Sequence, residues 1–221
     1  MVCKIAAAAV VFATLGWAGG PAQASLISIG LQEAGVNGGI ITLVATDGGT
    51  GFASFSGAYG TFTANSITAT GVPITGNNEL STSAVDTSGA TPGILTVYIT
   101  EQGLSSPYTL NDLTSSFATV FLSAGTKPVT EKTLVSLSNG LFTGAVIGTN
   151  TFTTSPGGVS LVDYSQPLSG NFSVTEIYII TATKKGTANN NIDFQTVPEP
   201  ASLVLIGTGL IALGARRRKR G

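Results

Sequence analysis

The sequence FSVTEIYIITAT, at residues 172–183, is the longest and clearest extended segment of the chain. It is filled with β-branched and aromatic residues, which favour a strand over a helix. GILTVYITE, at residues 93–101, has the same character: Leu95, Val97 and Ile99 alternate with more polar neighbours. Side chains two residues apart lie on one face of a strand, so these segments predict strands with one buried face.

Similar segments recur along the chain, separated by Gly, Pro, Asn and Asp. They lie at residues 40–46, 52–56, 59–64, 66–70, 117–123, 130–138, 141–147, 149–154 and 191–196. Roughly nine to eleven short strands at this spacing predict an all-β fold, an antiparallel, jelly-roll-like β-sandwich. A signal-peptide helix is expected before this body and an apolar helix after it.

Several details of the sandwich can be predicted as well. We expect one hairpin around Gly57 and Ala58, another between residues 141–147 and 149–154, and a turn at 184–190. Residues 110–117 are the best candidate for a helix, although a weak one. Leu134 and Leu137 are expected to point inward, and Thr and Ser are expected on the outer faces.

The N-terminus has the three parts of a secretory signal. Lys4 supplies a positive charge, residues 5–15 are apolar, and Ala22 and Ala24 form a small-residue cleavage site. The apolar run is too short for a membrane span. We therefore predict a signal peptide at residues 1–24, with cleavage before Ser25.

The body that remains, residues 25–196, contains no Cys, His, Trp, Met or Arg. Disulfides, Ser-His-Asp or Cys-His catalysis and the usual zinc sites are therefore excluded for this body. Its four lysines and ten acidic residues give a net charge of −6. An acidic, Arg-free body has no basic surface for nucleic acid, so no nucleic-acid partner is expected.

The C-terminal sequence VPEPASLVLIGTGLIALGARRRKRG, at residues 197–221, has three parts in order. Pro198, Glu199 and Pro200 come first and hold the backbone extended. An uncharged apolar segment follows at 201–215. The chain then carries five basic residues, which are Arg216, Arg217, Arg218, Lys219 and Arg220.

The apolar segment would be about 22 Å long as a helix, against about 30 Å for a hydrocarbon core. It is short for a permanent span, although basic side chains can snorkel and the bilayer can thin locally. The basic cluster predicts a cytoplasmic C-terminus and a body on the outer side. The segment therefore fits temporary retention in the lipid bilayer.

The order of these three parts resembles the PEP-CTERM sorting signal of bacterial exported proteins, a module also named the ice-binding protein C-terminal domain. The resemblance covers residues 197–221 and extends weakly to the strands at 93–106 and 171–196, which resemble small secreted β-sandwich bodies. It implies recognition by exosortase, with Pro198, Glu199 and Pro200 as the processing motif. It also implies export across the inner membrane, membrane anchoring before processing, and then a location at the cell surface or outside the cell.

The body itself offers few catalytic or metal-binding signals. Its acidic residues are scattered, so we interpret them as solvated turn and edge residues, with no catalytic residue, metal site or cofactor expected. Calcium bound by aspartates near turns is a milder alternative. These aspartates are Asp47, Asp86, Asp112, Asp163 and Asp193.

We therefore expect a non-enzymatic, surface- or matrix-associated protein, in contact with extracellular polysaccharide or biofilm. One alternative is a carbohydrate-binding module, which would align exposed tyrosines on one face. The available tyrosines are Tyr59, Tyr98, Tyr108, Tyr164 and Tyr178. A second alternative is a glycoside hydrolase, which would bring two carboxylates to within about 5 to 10 Å in a cleft.

Overall fold

Twelve strands form within the part of the chain that the computed structural model describes, residues 25–75, 79–105, 111–157, 160–166, 168 and 170–197. They are β1 Leu26–Glu33, β2 Thr42–Thr46, β3 Phe52–Tyr59, β4 Phe62–Thr70, β5 Leu80–Gly89, β6 Gly93–Ser105, β7 Asn111–Leu122, β8 Thr126–Ser136, β9 Ala145–Phe152, β10 Ser160–Gln166, β11 Asn171–Ala182 and β12 Gly186–Val197. A short 3-10 turn, Asn37–Gly39, separates β1 from β2. Both helices predicted at the chain ends lie outside the described residues.

The strands form two six-stranded antiparallel sheets. The first sheet has the order β2-β1-β6-β11-β8-β9, and the second has the order β10-β7-β12-β5-β4-β3. The predicted antiparallel β-sandwich is therefore confirmed. Strands β5 to β8 alternate between the two sheets, so the chain wraps around the interior as it does in jelly rolls.

The segment at 172–183 occupies the middle of the sandwich, as β11. This strand pairs with β6 on one side and with β8 on the other, while β12 lies between β5 and β7 in the second sheet. Large apolar side chains from both sheets fill the space between them. Ile99, Phe62, Phe117 and Phe194 are each at most 1% exposed, and burial of each contributes about 1.5–3 kcal/mol.

The first predicted hairpin is present, but its turn lies elsewhere. β3 continues through Gly57 and Ala58, and the turn falls at Gly60 and Thr61. A register shift between Phe55 and Gly57 shows that Gly57 lies at a bulge within the strand. Gly60 has φ of 59°, so it supplies the left-handed conformation that the turn requires.

The second predicted hairpin is wrong. Residues 145–152 form the single strand β9, and residues 137–144 form a loop that folds over the outer face of the first sheet. Asn139 holds this loop down, because its Oδ1 accepts from the Gly103 N–H and its carbonyl from Gln102 Nε2, both at 2.7 Å. Leu134 and Leu137 were both predicted to point inward, and both predictions are wrong. Leu137 is 49% exposed, and Leu134, although only 7% exposed, alternates with the inward-facing Thr133 and Val135 and so lies on the outer face of the sheet.

Two further local predictions are wrong. Residues 111–117 belong to β7 and not to a helix, because Leu113, Ser115 and Phe117 alternate into the interior and bury one strand face. The turn predicted at 184–190 covers only residues 183–185. Residues 186–190 belong to β12 and pair with β5. The hydrogen bonds between these two strands satisfy the backbone groups of this Asn-rich segment.

Three strands were not predicted, namely β1, β5 and β10. β1 begins just after the predicted signal peptide of residues 1–24, and its residues were not assigned to any strand. β5 consists largely of Ser, Thr and Ala, and its strand conformation comes from pairing with β4 and β12. Tertiary pairing thus overrides weak local preference at these sites.

The prediction that Thr and Ser lie on the outer faces is also wrong in part. Thr82, Thr87 and Ser115 of the second sheet are buried, as is Thr133 of the first sheet, with at most 1% exposure. Ser115 and Thr133 share a hydrogen bond of 2.5 Å between their hydroxyl groups, across the two sheets. The middle of the sandwich is therefore polar, which brings the buried acidic residues into consideration.

Candidate functional site

Three carboxyl groups form a diagonal row on the inner face of the first sheet. Glu101 lies on β6, Glu176 on β11 and Glu131 on β8, which are adjacent strands. Glu101 is opposite Val174, two residues before Glu176, and Glu131 is opposite Tyr178, two residues after it. Each carboxyl therefore has the next as its diagonal neighbour across the strands. We call Glu101, Glu176 and Glu131 the acid row.

All three members of the acid row have 0% exposure, and burial raises the pKa of each. The pKa of Glu101 rises to about 7 and that of Glu131 to about 9. The pKa of Glu176 rises well above its ordinary value because burial and the neighbouring acidic groups oppose its ionisation. Glu131 is therefore a protonated, neutral carboxylic acid at neutral pH, and burial favours the protonated form of Glu176 as well.

Few polar groups reach the acid row. Thr82 of the second sheet donates a hydrogen bond to Glu176 Oε2, whereas Glu176 Oε1 is buried without a partner among the described residues. Neither oxygen of Glu131 has a hydrogen bond of normal geometry there, although the Ala118 backbone lies close enough to lower the pKa of Glu131 by less than burial raises it. The side chain of Asn190 is also buried without a hydrogen-bond partner among these residues. Lys132 follows Glu131 on β8 and so projects from the opposite face of the strand. No positive charge is therefore placed beside Glu131 from its own strand.

Tyr178 lies directly opposite Glu131 in the strand register and is 0% exposed. Burial raises its pKa well above the ordinary value, and the nearby Glu176 and Glu131 raise it further. Thr82 and the backbone of Ile192 lie close to the Tyr178 hydroxyl and lower its pKa by a smaller amount. Burial thus favours the neutral forms of the Tyr178 phenol and of the Glu131 and Glu176 carboxyls inside the sandwich.

The prediction that acidic residues are solvated turn and edge residues is wrong for the acid row, and also for Glu33 and Asp47, which are 5% and 7% exposed. The signal that could have found the row is strand parity. Glu101 continues the every-second-residue series of the buried Leu95, Val97 and Ile99. Glu176 has the same spacing from Val174 and Tyr178.

The acid row has little capacity for metal or saccharide chemistry. Within the described residues, no group of three or more acidic side chains is arranged to hold a metal ion. Glu131 and Glu176 are diagonal neighbours on adjacent strands, and the Cα atoms of such neighbours are typically about 7–8 Å apart. The two carboxyls of a glycosidase are about 5–10 Å apart, so the two arrangements are of similar size. Both are fully enclosed, however, and no cleft leads a saccharide to them in this conformation.

A cavity of about 420 Å³ lies at one end of the sandwich. The turns between β7 and β8 and between β11 and β12 line it, and both turns cross from one sheet to the other. Lys184 and Lys185 contribute positive charge, and Ser88, Ser123 and Thr187 contribute polar groups. We call this cavity the end pocket.

Hydrogen bonds between the two turns fix the wall of the end pocket. The Ser123 N–H donates to the Thr187 carbonyl at 2.9 Å, and the Thr187 N–H donates to Ser123 Oγ at 2.8 Å. Gly125 accepts from the Thr183 N–H at 2.8 Å. Lys184 and Lys185 are exposed on this ordered frame, so the pocket suits an anionic group.

The described tyrosines do not form an exposed aromatic platform. Tyr178 is enclosed, and Tyr59 is 9% exposed with its hydroxyl 3.0 Å from the Leu31 carbonyl. Tyr98 is covered by Phe142, with ring centroids 5.7 Å apart. Tyr108 and the side chain of Tyr164 lie outside the described parts of the chain.

Most of the predicted processing residues also lie outside the described residues. These are Ala22, Ala24, Pro198, Glu199, Pro200, Arg216, Arg217, Arg218, Lys219 and Arg220. Ser25 is described and is 1% exposed at the start of β1. No helix among the described residues has the length and apolar character to cross a membrane, and the predicted transmembrane segment at 201–215 is not among them.

Solved structures resemble the chain only distantly. Arthrobacter globiformis T6 isomalto-dextranase complexed with panose shares 11% identity at a TM-score of 0.20, covering 65% of this chain and 21% of that one. The infectious bursal disease virus Gx strain structure shares 10% identity at a TM-score of 0.22, covering 79% of this chain and 56% of that one. No curated protein matches the chain by sequence.

The C-terminal segment gives a specific match. The PEP-CTERM protein-sorting motif family matches residues 196–219. The match begins at Thr196, near the end of β12, and includes Pro198, Glu199 and Pro200 together with the apolar segment and most of the basic cluster. The chain therefore carries a PEP-CTERM sorting motif at its C-terminal end, and this motif implies exosortase-dependent sorting to the cell exterior.

Proposed function

We propose that this protein is a non-enzymatic component of the cell surface or of the extracellular polysaccharide matrix, released from its membrane-bound stage by exosortase. The observation that carries the proposal is the PEP-CTERM motif at residues 196–219, which follows the last strand of the sandwich without a linker. The enclosed acid row is consistent with a non-enzymatic body, because its carboxyls are inaccessible and burial favours their protonated forms.

The motif can be tested in a host that carries exosortase. Pro198, Glu199 and Pro200 are replaced together by alanine, and the membrane and extracellular fractions are compared by mass spectrometry of the C-terminus. We expect the variant to remain unprocessed in the membrane fraction, as the unchanged chain would in a host without exosortase. Ser83→Ala, on an exposed strand position, serves as the control and is expected to be processed normally. Normal processing of the triple variant would refute exosortase recognition.

The end pocket favours a second candidate function, binding of an acidic polysaccharide. Two of the four lysines of the body lie side by side at this pocket, while the body as a whole has a net charge of −6. A local positive site on an acidic protein would attract a carboxylate-bearing sugar chain in a salt-dependent way. Such binding needs no exposed tyrosine, which suits the covered positions of Tyr59, Tyr98 and Tyr178.

Affinity electrophoresis with polygalacturonate, and with neutral dextran for comparison, tests this candidate. We expect retardation by polygalacturonate alone, which weakens with salt and is lost in the double variant Lys184→Gln, Lys185→Gln. Lys127→Gln removes an exposed lysine outside the pocket and is the matched control. Equal retardation of all variants, or none for the unchanged protein, would refute the end pocket as the binding site.

A further inference from the structure

Ser25 lies in an unusually enclosed position for a residue at the predicted start of a mature chain. It is 1% exposed, immediately before β1. Its Oγ is 2.5 Å from the Val72 carbonyl oxygen and 2.5 Å from Glu101 Oε1. A hydroxyl has one hydrogen, so it donates fully to only one of two acceptors at a time. While Glu101 is ionised, one of these two acceptors is therefore left without a full hydrogen bond from Ser25.

Glu101 is the acceptor that remains underused. It is 0% exposed, and its Oε1 also accepts from the Val72 N–H at 2.7 Å, but its Oε2 is buried with no hydrogen-bond partner. The Gly71 backbone lies so close to this carboxyl that an added Cβ would overlap it. Residue 71 therefore has no room for a side chain that could donate to Glu101. Candidate donors are the groups already at this end of β1.

The charged groups around Glu101 are all acidic. Asp47 and Glu79 oppose its ionisation, and Glu176 lies diagonally from it on β11. The Asp47 carboxylate is engaged by two backbone N–H groups, from Ile27 and Gly51, both at 2.8 Å. The ionisable groups at the start of β1 are thus acidic, with no cation among them, and a buried carboxylate is costly unless a proton or a positive charge is supplied.

One group at this site can become positive, and it is the nitrogen of Ser25 itself. Three bonds separate it from Oγ, which places it about 3–4 Å from that atom. Oγ in turn touches Glu101 and the Val72 carbonyl. In the precursor this nitrogen is a peptide N–H with one hydrogen. After cleavage between Ala24 and Ser25 it becomes an α-ammonium group with one positive charge and three donors.

We propose that removal of the signal peptide creates the cation that this site lacks, and that the α-ammonium of Ser25 forms a buried ion pair with Glu101. The mature N-terminus is then a structural group that closes the end of β1. The pairing rests on the predicted cleavage position, and it is independent of exosortase processing at the other end of the chain. An ammonium fits better than a divalent metal ion, because no described group of acidic side chains has metal-binding geometry.

The experiment uses the exported protein purified from its host, and its first step is N-terminal sequencing. A mature N-terminus at any residue other than Ser25 would overturn the proposal, whatever happens at the PEP-CTERM motif. The second step titrates the α-amine by its reaction with an aldehyde reagent selective for N-terminal amines. An unperturbed α-amine has a pKa of about 7.7–8.0. We expect the pKa to be at least about one unit higher, and the folded protein to react at least tenfold more slowly than the unfolded chain at the same pH.

Glu101→Gln, which preserves the shape of the side chain, is expected to return the pKa of the α-amine towards its ordinary range. Glu131→Gln removes another buried acid of the same row, but β8 is three strands away from β1, and the substitution is expected to leave the α-amine unchanged. An ordinary pKa and free reactivity in the unchanged protein would overturn the proposal without reference to either variant. Equal effects of the two substitutions would do the same.

Discussion

Thr82 on the second sheet donates a hydrogen bond to Glu176 on the first sheet, in the middle of the sandwich. Thr82 is 1% exposed and Glu176 is 0% exposed, so water cannot replace this bond. Thr82 also lies close enough to influence the phenol of Tyr178. One threonine hydroxyl therefore connects the two sheets at the point where the interior is most polar.

Thr82→Val removes this hydroxyl while keeping the shape of the side chain. We expect a loss of about 1–3 kcal/mol in the free energy of unfolding, because Glu176 would be left buried without its donor. Urea denaturation measures the change. Thr68→Val is the control, since the Thr68 hydroxyl bonds with Ser83 at an exposed position, and its loss should cost less than about 0.5 kcal/mol. Equal losses for both variants would contradict the importance of the inter-sheet bond.

Stability should fall as the pH rises. Burial raises the pKa of Glu131 from 4.5 to about 9, so the folded state keeps a proton that the unfolded chain releases above pH 4.5. The stability that the folded state gains by holding this proton on Glu131 is therefore fully present below pH 4.5. It is lost as the pH rises towards 9, by up to about 1.4 kcal/mol per pH unit. Denaturation midpoints between pH 4 and 9 measure it.

Glu131→Gln provides the matched test of that slope. Glutamine cannot ionise, so the variant should show a flatter dependence of unfolding free energy on pH and should gain stability relative to the unchanged protein at alkaline pH. Asp163→Asn, at an exposed strand position, should leave the slope unchanged. A variant as pH-sensitive as the unchanged protein would show that Glu131 does not carry the effect.

Phe142→Ala should loosen the loop at residues 137–144. Phe142 covers Tyr98, and its N–H donates to Thr100 Oγ1 at 3.2 Å. Loss of the ring removes the contact that presses the loop onto the sheet, at a cost of about 1–2 kcal/mol for a half-buried aromatic side chain. Faster hydrogen exchange at Gly103, whose N–H donates to Asn139, measures the opening. Leu141→Ala, in the same loop but 40% exposed, should change this exchange little.

Glu33→Ala should destabilise the turn between β3 and β4. The Glu33 carboxylate accepts from the Thr61 N–H at 3.0 Å and also from the Thr61 hydroxyl. Two charge-assisted bonds to one buried carboxylate suggest a loss of about 2–3 kcal/mol. Thermal unfolding measures it, with Asp163→Ala as the control, since Asp163 accepts only an exposed bond from Thr114. A loss no greater than that of the control would refute this role.

Much of the fold could be predicted because strand alternation is local. The segment at 172–183 became β11, and the segment at 93–101 became part of β6. Strands such as β5 could not be predicted, since Ser and Thr have little preference without the partners that pair with them. The turn at Gly60 was misplaced because Gly57 and Gly60 look alike in sequence, and only pairing makes one a bulge and the other a turn.

The candidate site was predictable only in part. The alternation of side chains along β6 and β11 indicates that Glu101 and Glu176 point inward. An isolated carboxylate usually lies in water, however, so the sequence alone favoured the interpretation that these residues are solvated. The convergence of Glu101, Glu176 and Glu131 requires three strands from distant parts of the chain to lie side by side. The end pocket likewise requires two turns, near Ser123 and Lys184, to meet.

The sequence by itself determined the class of fold and the C-terminal sorting motif, because alternation and motif order are properties of neighbouring residues. It also placed the predicted cleavage site before Ser25. Only the tertiary structure decided that Ser25 meets Glu101 and that Thr82 meets Glu176. Burial, and with it the protonation of a carboxyl, depends on what the opposite strand and the opposite sheet supply, and these groups are separated by 76 and 94 residues along the chain.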